Sequence, residues 1–250
     1  MKTKNLVISG ILVLMFASGT LFFISCKKES NEPVVKKDDN YALTNVGMLH
    51  NEALSYYYEN RIKLKSTASI NEILSESISL TAEYLINQGF ARESVLDVKA
   101  LVGNSLVETG LKSSPNTMFS IDTTSFIMQL DQQNLYSPEF IEDLNNLFIL
   151  AHKDDNEEVV RDYVNNIFAN VHYTNLNDVA AQKLYINIFN YSFDYWVNTF
   201  QNSSLKKSKL KLSSWVIIND GIGGILGSPL GPIGSIALGT AFSVGTNEGY

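Results

Sequence analysis

The chain has 250 residues and a mass of 27.8 kDa, with 45% hydrophobic and 18% charged residues. This composition supplies enough apolar surface for a folded core, which excludes a wholly disordered protein, a collagen-like repeat and a disulfide-stapled miniprotein. The single cysteine cannot form an internal disulfide, and three histidines leave little material for a metal cage or a catalytic triad. The net charge of −7 argues against a nucleic-acid partner, because phosphate binding needs a basic face.

Residues 1–26 have the pattern of a secretory signal. Lys2 and Lys4 precede an apolar run that carries no charge and ends at Ser25-Cys26. The last four residues, 23–26, resemble the lipobox of bacterial lipoproteins, which implies cleavage after residue 25 and a diacylglycerol on Cys26. The alternative is an uncleaved anchor, because the apolar run is about 20 residues long and a helix of that length spans about 30 Å.

Residues 26–44 are polar and lack apolar periodicity, which predicts a flexible tether between a lipid and a folded domain. Removing residues 1–25 takes away two lysines, so the mature charge becomes −9. Charged residues soon after Cys26 are similar to the surface-export signals of Bacteroidetes lipoproteins. We therefore expect a protein of the bacterial cell envelope, on the outer membrane and facing the periplasm or the cell surface.

Residues 45–203 carry the helical period and predict an all-α body, an irregular or bundle-like array of about six helices. Ser69 and Glu72 form a predicted capping box, and Gly89 is placed to end that helix. Residues 111–125 predict a loop, followed by a short helix around 126–130. Ser137 and Pro138 then predict the start of the next helix.

The last body helix is predicted from about Leu176 to Phe200. Its aromatic residues recur at helical spacing, which is more typical of a core than of a ligand box; they are Tyr185, Phe189, Phe193, Trp196 and Phe200.

The sequence contains no pattern that predicts catalysis, a cofactor or a metal. The glycines at 221–227 do not complete a dinucleotide-binding motif, and the acidic residues at 154–158 lack the glycine of a calcium loop. His50 lies on an apolar stripe and is the one weak candidate for a base or ligand. A histidine there is more often structural, as is His152 near a helix C-terminus.

The C-terminal region is rich in glycine. Residues 204–214 form a basic linker, and residues 215–250 form an apolar tail that holds most of the glycines. Small residues recur at every fourth position and predict a groove for close helix packing or for membrane insertion: Gly223, Gly227, Gly231, Ser235, Gly239 and Ser243. Pro229 and Pro232 predict a hairpin, with one helix to about Gly227 and a second that has Pro232 at its first position.

Two elements together resemble a group of uncharacterised Bacteroidetes lipoproteins. The first is Gly-x-x-His-Asn, here residues 47–51, and the second is a tryptophan followed by Asp-Gly at the entry to a glycine-zipper tail, here Trp215 and residues 220–221. Similar tails occur in bacteriocin-like peptides. The resemblance implies a lipoprotein with a glycine-zipper tail and brings no activity with it.

Three functional hypotheses remain open from the sequence. The first is a lipid-anchored, non-enzymatic envelope protein whose body binds an unknown protein or envelope partner and whose tail is buried. The second is a membrane-active, bacteriocin-like protein whose tail inserts into a bilayer, which the basic linker favours because lysines dock on anionic headgroups. The third is an enzyme of unrecognised type.

Overall fold

The structure is a computed structural model that describes residues 38–61, 69–108, 127–128, 130–132, 134–153, 157–202 and 214–248. The structure is 88% helical and none of the described residues lies in a strand, which confirms the predicted all-α class. The helices are α1 (Asp39–Thr44), α2 (Val46–Asn60), α3 (Ile70–Asn87), α4 (Arg92–Glu108), α5 (Pro138–Lys153), α6 (Glu157–Asn166), α7 (Leu176–Asn202), α8 (Ser214–Gly227) and α9 (Gly231–Glu248). Short 3₁₀ turns occupy Phe168–Asn170 and Ser228–Leu230.

Side chains at the helix ends explain several boundaries. Ser69 accepts a hydrogen bond from the Glu72 amide while the Glu72 carboxylate accepts one from the Ser69 amide, so the predicted capping box starts α3. The Ser137 hydroxyl accepts from the Phe140 amide at the start of α5. Gly89 follows α3 with φ of +91°, a conformation that favours glycine.

The folded domain begins earlier than predicted. Within the expected tether, residues 39–44 form α1, which is capped by Asp38 and buries Ala42 completely. Residues 26–37 of the tether, the whole 111–125 loop and residues 204–213 of the linker lie outside the described residues, whereas 127–128 and 130–132 are helical.

The long helix α7 carries the main aromatic core. Tyr185, Phe189, Phe193 and Trp196 are each at most 3% exposed, so the prediction that the ladder is core holds for these four residues. The aromatic contacts extend beyond α7. Phe168, in the first 3₁₀ turn, packs edge-on against Tyr185 with 5.5 Å between the ring centroids.

The tail forms the predicted helical hairpin. Helix α8 ends at Gly227, and Gly231 takes a φ of +75° that lets the chain turn into α9, with Pro232 at the second helical position rather than the first. The hairpin lies inside the body: α8 packs against α7, and α9 packs against α2, α3 and α4. All residues from 216 to 225 and from 233 to 246 are buried.

Glycines set the distance between α8 and its neighbours. A Cβ at Gly223 would lie 2.5 Å from the Leu238 carbonyl oxygen, and a Cβ at Gly227 would overlap the Gly234 backbone. The Ser235 hydroxyl donates to the Gly224 carbonyl at 2.8 Å and ties the two arms together. The helices are therefore in backbone contact.

The segment from Val216 to Thr246 is long and apolar enough to cross a membrane by length and composition, with a mean hydropathy of 1.3. A 3₁₀ turn interrupts it, and 67% of its most apolar window is buried within the fold. The core helices of soluble proteins meet the same criterion.

Gly227→Leu should destabilise the whole body, because the new side chain must push the two arms of the hairpin apart. We expect a loss of more than about 2 kcal/mol in the free energy of unfolding, measured by urea denaturation. Ala180→Leu adds a similar side chain at an exposed position of α7 and should leave stability nearly unchanged. Equal stability in the two variants would show that the close contact between α8 and α9 contributes little.

Candidate functional site

The Gly-x-x-His-Asn element docks α2 against α7. A Cβ at Gly47 would lie 2.5 Å from the Asn187 carbonyl oxygen, and the Gly47 amide donates to the Asn187 side chain at 3.0 Å. The Asn51 amide group donates to the Tyr191 carbonyl at 2.8 Å. Gly47 therefore permits the close approach of α2 to α7, and the Asn51 hydrogen bond fixes it. His50 precedes Asn51 on α2, and its side chain lies in the interior of the body.

His50 is completely buried. Its Nδ1 atom lies 3.0 Å from the Asn51 side-chain oxygen and 3.4 Å from the Ser192 hydroxyl. The edge of its ring lies over Gly239 of α9, where a Cβ would be 3.0 Å from the imidazole Cδ2. Burial lowers the pKa of His50 to about 4, despite the opposing effects of Asn51 and the Gly239 backbone, so the ring is neutral at pH 7.

Asp220 is the second fully buried titratable group at this place. The Trp196 indole donates to its Oδ2 atom at 3.1 Å. Burial raises the pKa of Asp220 to about 7, and Ser243, Trp196 and Ser192 oppose that rise. Burial first and the Asp220 charge second raise the pKa of the Tyr185 phenol.

These side chains form what we call the polar junction, in which four helices meet: His50 from α2, Ser192 and Trp196 from α7, Asp220 from α8 and Ser243 from α9. The set contains a hydroxyl, an imidazole and a carboxyl group, the types used in nucleophilic catalysis. However, His50, Ser192 and Asp220 each have 0% exposure, so a substrate cannot reach them in this conformation. The arrangement joins helices and offers no open active site.

The residues of the predicted small-residue stripe have different roles in the structure. Gly223 and Gly227 face α9, and the Ser235 hydroxyl donates a hydrogen bond back to the Gly224 carbonyl of α8. Gly239 lies under His50, and Ser243 belongs to the polar junction. Gly231 has open space where its side chain would be and forms the turn, so it is not a packing residue. Gly234, which lies off the predicted stripe, packs opposite Gly227.

Sequence reasoning missed a second glycine face on α8. A Cβ at Gly221 would overlap the Tyr185 ring, and one at Gly224 would lie 2.7 Å from Ile188, so these glycines admit α7. Asp220 was also missed as a partner of the junction. A lone carboxyl group within an otherwise apolar segment was the available signal, because such a group must find polar neighbours inside the fold.

Cys26 and the side chains of His152 and Trp215 lie outside what the structure describes. Among the described residues, no group of three or more histidine, cysteine or acidic side chains is arranged to hold a metal ion. No protein-family model, curated protein or solved structure matches the chain.

The two buried groups have opposite effects on the pH dependence of stability. Between about pH 4 and pH 6.5 the unfolded chain carries a protonated histidine and an ionised aspartate, whereas the folded chain keeps both groups neutral. Folding therefore removes a proton from His50 and adds one to Asp220. The two contributions nearly cancel across this interval.

Single substitutions should reveal the separate contributions. Asp220→Asn removes the contribution of Asp220 and leaves that of His50 uncancelled, so the stability of the variant relative to the parent should rise with pH between about 4 and 7, by at most about 1.4 kcal/mol per pH unit. His50→Gln removes the contribution of His50, so the stability of that variant relative to the parent should fall as pH rises from about 4 to 6.5.

Urea unfolding at a series of pH values measures both slopes. Asp162→Asn, on the exposed face of α6, is the matched control and should follow the parent protein. If relative stability changed with pH in the same direction in both junction variants, the inference that His50 and Asp220 are both neutral in the folded chain would be contradicted.

Proposed function

We propose that the protein is a lipid-anchored, non-enzymatic component of the bacterial cell envelope, held at Cys26, whose helical body is a binding module. The burial of the α8–α9 hairpin is the observation that carries this proposal, because it makes the tail part of the body's core. A closed polar junction, rather than an open cleft at His50, supports a non-enzymatic role. The lipobox-like residues 23–26 and the resemblance to Bacteroidetes lipoproteins support the anchor and the outer-membrane location.

The anchor is stable only if the lipid is attached. Each buried methylene of an acyl chain contributes about 0.8 kcal/mol to membrane binding, and several chains together hold a protein on a bilayer. The proposed partner is then a protein or another envelope component near the membrane, and the acidic surface of the mature chain disfavours nucleic acid.

Cys26→Ser should abolish lipidation. In bacteria fed an alkyne-tagged fatty acid, we expect the parent chain to take up the label and fractionate with membranes, and the variant to lose the label. Ser25→Ala keeps a small residue before the cysteine and should remain labelled. Unlabelled parent protein that stays in the membrane fraction would favour an uncleaved N-terminal anchor instead.

The apolar composition of residues 216–246 favours a second candidate, a membrane-active protein whose hairpin leaves the body and inserts. The lysines at 206, 207, 209 and 211 would then dock the preceding linker on anionic headgroups. Insertion requires the hairpin to give up its close glycine contacts with α7 side chains and the hydrogen bond between Trp196 and Asp220. That requirement makes the buried hairpin of the first candidate the better-supported state.

A vesicle-leakage assay separates the two candidates. We expect the purified full chain to release no dye from anionic or neutral vesicles at low micromolar concentration, since the hairpin is packed inside the body. Leakage from anionic vesicles alone would favour the membrane-active protein, because the lysine-rich linker binds that surface.

A further inference from the structure

Helix α1 packs against α9, the second arm of the hairpin. Ala42 is completely buried and belongs to the same apolar cluster as Ile233 and Ile236 of α9. The Tyr41 ring packs near that of Phe90, which follows α3, with 6.3 Å between the ring centroids. The short helix that begins the folded domain therefore contributes to the burial of the hairpin.

This helix is weakly held compared with the rest of the body. It has six residues, of which Ala42 alone is fully buried, whereas Asp39, Asn40, Leu43 and Thr44 are exposed. A helix of this length is not stable by itself in water, so α1 depends on its N-cap and on its docking. Segments with few buried contacts open at a lower free energy than the core of a protein. We therefore expect α1 to undock before the longer helices do.

Asn45 separates α1 from α2. Its φ of −115° and ψ of +17° depart from helical values, and its side chain does not cap α2. Helix α2 is held independently of α1, because the Gly47 amide and the Asn51 side chain donate hydrogen bonds to α7. Residues at the ends of helices are the usual hinges, so α1 can turn about Asn45 while α2 stays in place.

We propose that α1 is a strap on the hairpin, and that its undocking from α9 about Asn45 is the first step by which α8 and α9 are released from the body. Undocking takes Ala42 out of the apolar cluster that it shares with α9. The contacts with α2, α3 and α4 then hold α9 without the strap. The inference goes beyond the proposed function, because it assigns a conformational step to the fold whether or not a lipid is attached.

The position of α1 in the chain would let the proposed anchor act on the strap. Asp38, the N-cap of α1, lies 12 residues after Cys26. A pull on the intervening residues, from the membrane or from a partner that binds them, reaches α1 before any other helix that the structure describes. This use of the strap rests on the proposed function, whereas the strap itself does not.

Amide hydrogen exchange of the full chain in a neutral detergent, followed by mass spectrometry, tests the proposal. Asp38→Ala removes the side chain that accepts from the Tyr41 amide, and it should speed exchange in both α1 and α9 about fivefold. Asn40→Ala places the best helix former at an exposed position of α1, and it should slow exchange in both helices about two- to threefold.

Ser137→Ala is the matched control, because it removes an N-cap of the same kind from α5. It should speed exchange at the start of α5 and leave α9 unchanged, and circular dichroism should show that all variants are folded. If Asp38→Ala speeds exchange in α1 but not in α9, or if Ser137→Ala speeds exchange in α9 equally, the proposal is wrong. A parent chain that takes up no fatty-acid label would instead defeat the proposed anchor and leave this inference standing.

Discussion

The fold depends on the close contact that the α8 backbone makes with the α9 backbone on one side and with α7 side chains on another. Gly223 and Gly227 admit α9, while Gly221 and Gly224 admit the aromatic and aliphatic side chains of α7. Each glycine costs a helix about 1 kcal/mol relative to alanine, so α8 is a poor helix by itself. Close packing must offset that cost, and it does so only when α7 and α9 are both in place.

The polar junction supplies directional hydrogen bonds to a helix interface that is otherwise made by apolar and small residues. The Trp196 indole reaches Asp220, and the His50 ring lies over Gly239. A slip of α9 by one residue would bring the side chain of Leu238 or Thr240 to the place where only a glycine leaves room for the imidazole. Because both titratable groups are neutral in the folded chain between about pH 4 and 6.5, the junction fixes register there without the large cost of burying charges.

Local patterns in the sequence were sufficient for several helices and their ends, although they missed α1. The capping box at Ser69, the aromatic ladder of α7 and the hairpin between Gly227 and Gly231 all follow from spacing and turn chemistry. The pairing of helices did not follow, because periodicity shows which face is apolar but not which helix covers it. Thus Gly221 and Asp220 had no visible role until α7 was placed beside them.

Because periodicity does not show what covers a helix face, small residues at every fourth position are equally compatible with a membrane helix and with a helix buried in a folded domain. What separates the two is whether the chain also supplies the complementary surface. Here α7 supplies Tyr185 and Ile188, which fit against α8 glycines, and Trp196, which binds Asp220. Moreover, α8 has 14 residues and therefore extends about 21 Å, less than the hydrocarbon thickness of about 30 Å. In a bilayer, α8 would be too short to span the hydrocarbon, and Asp220 would lose the indole that it binds in the fold. Inside the body α8 has no membrane to span, and Asp220 keeps its hydrogen bond to Trp196.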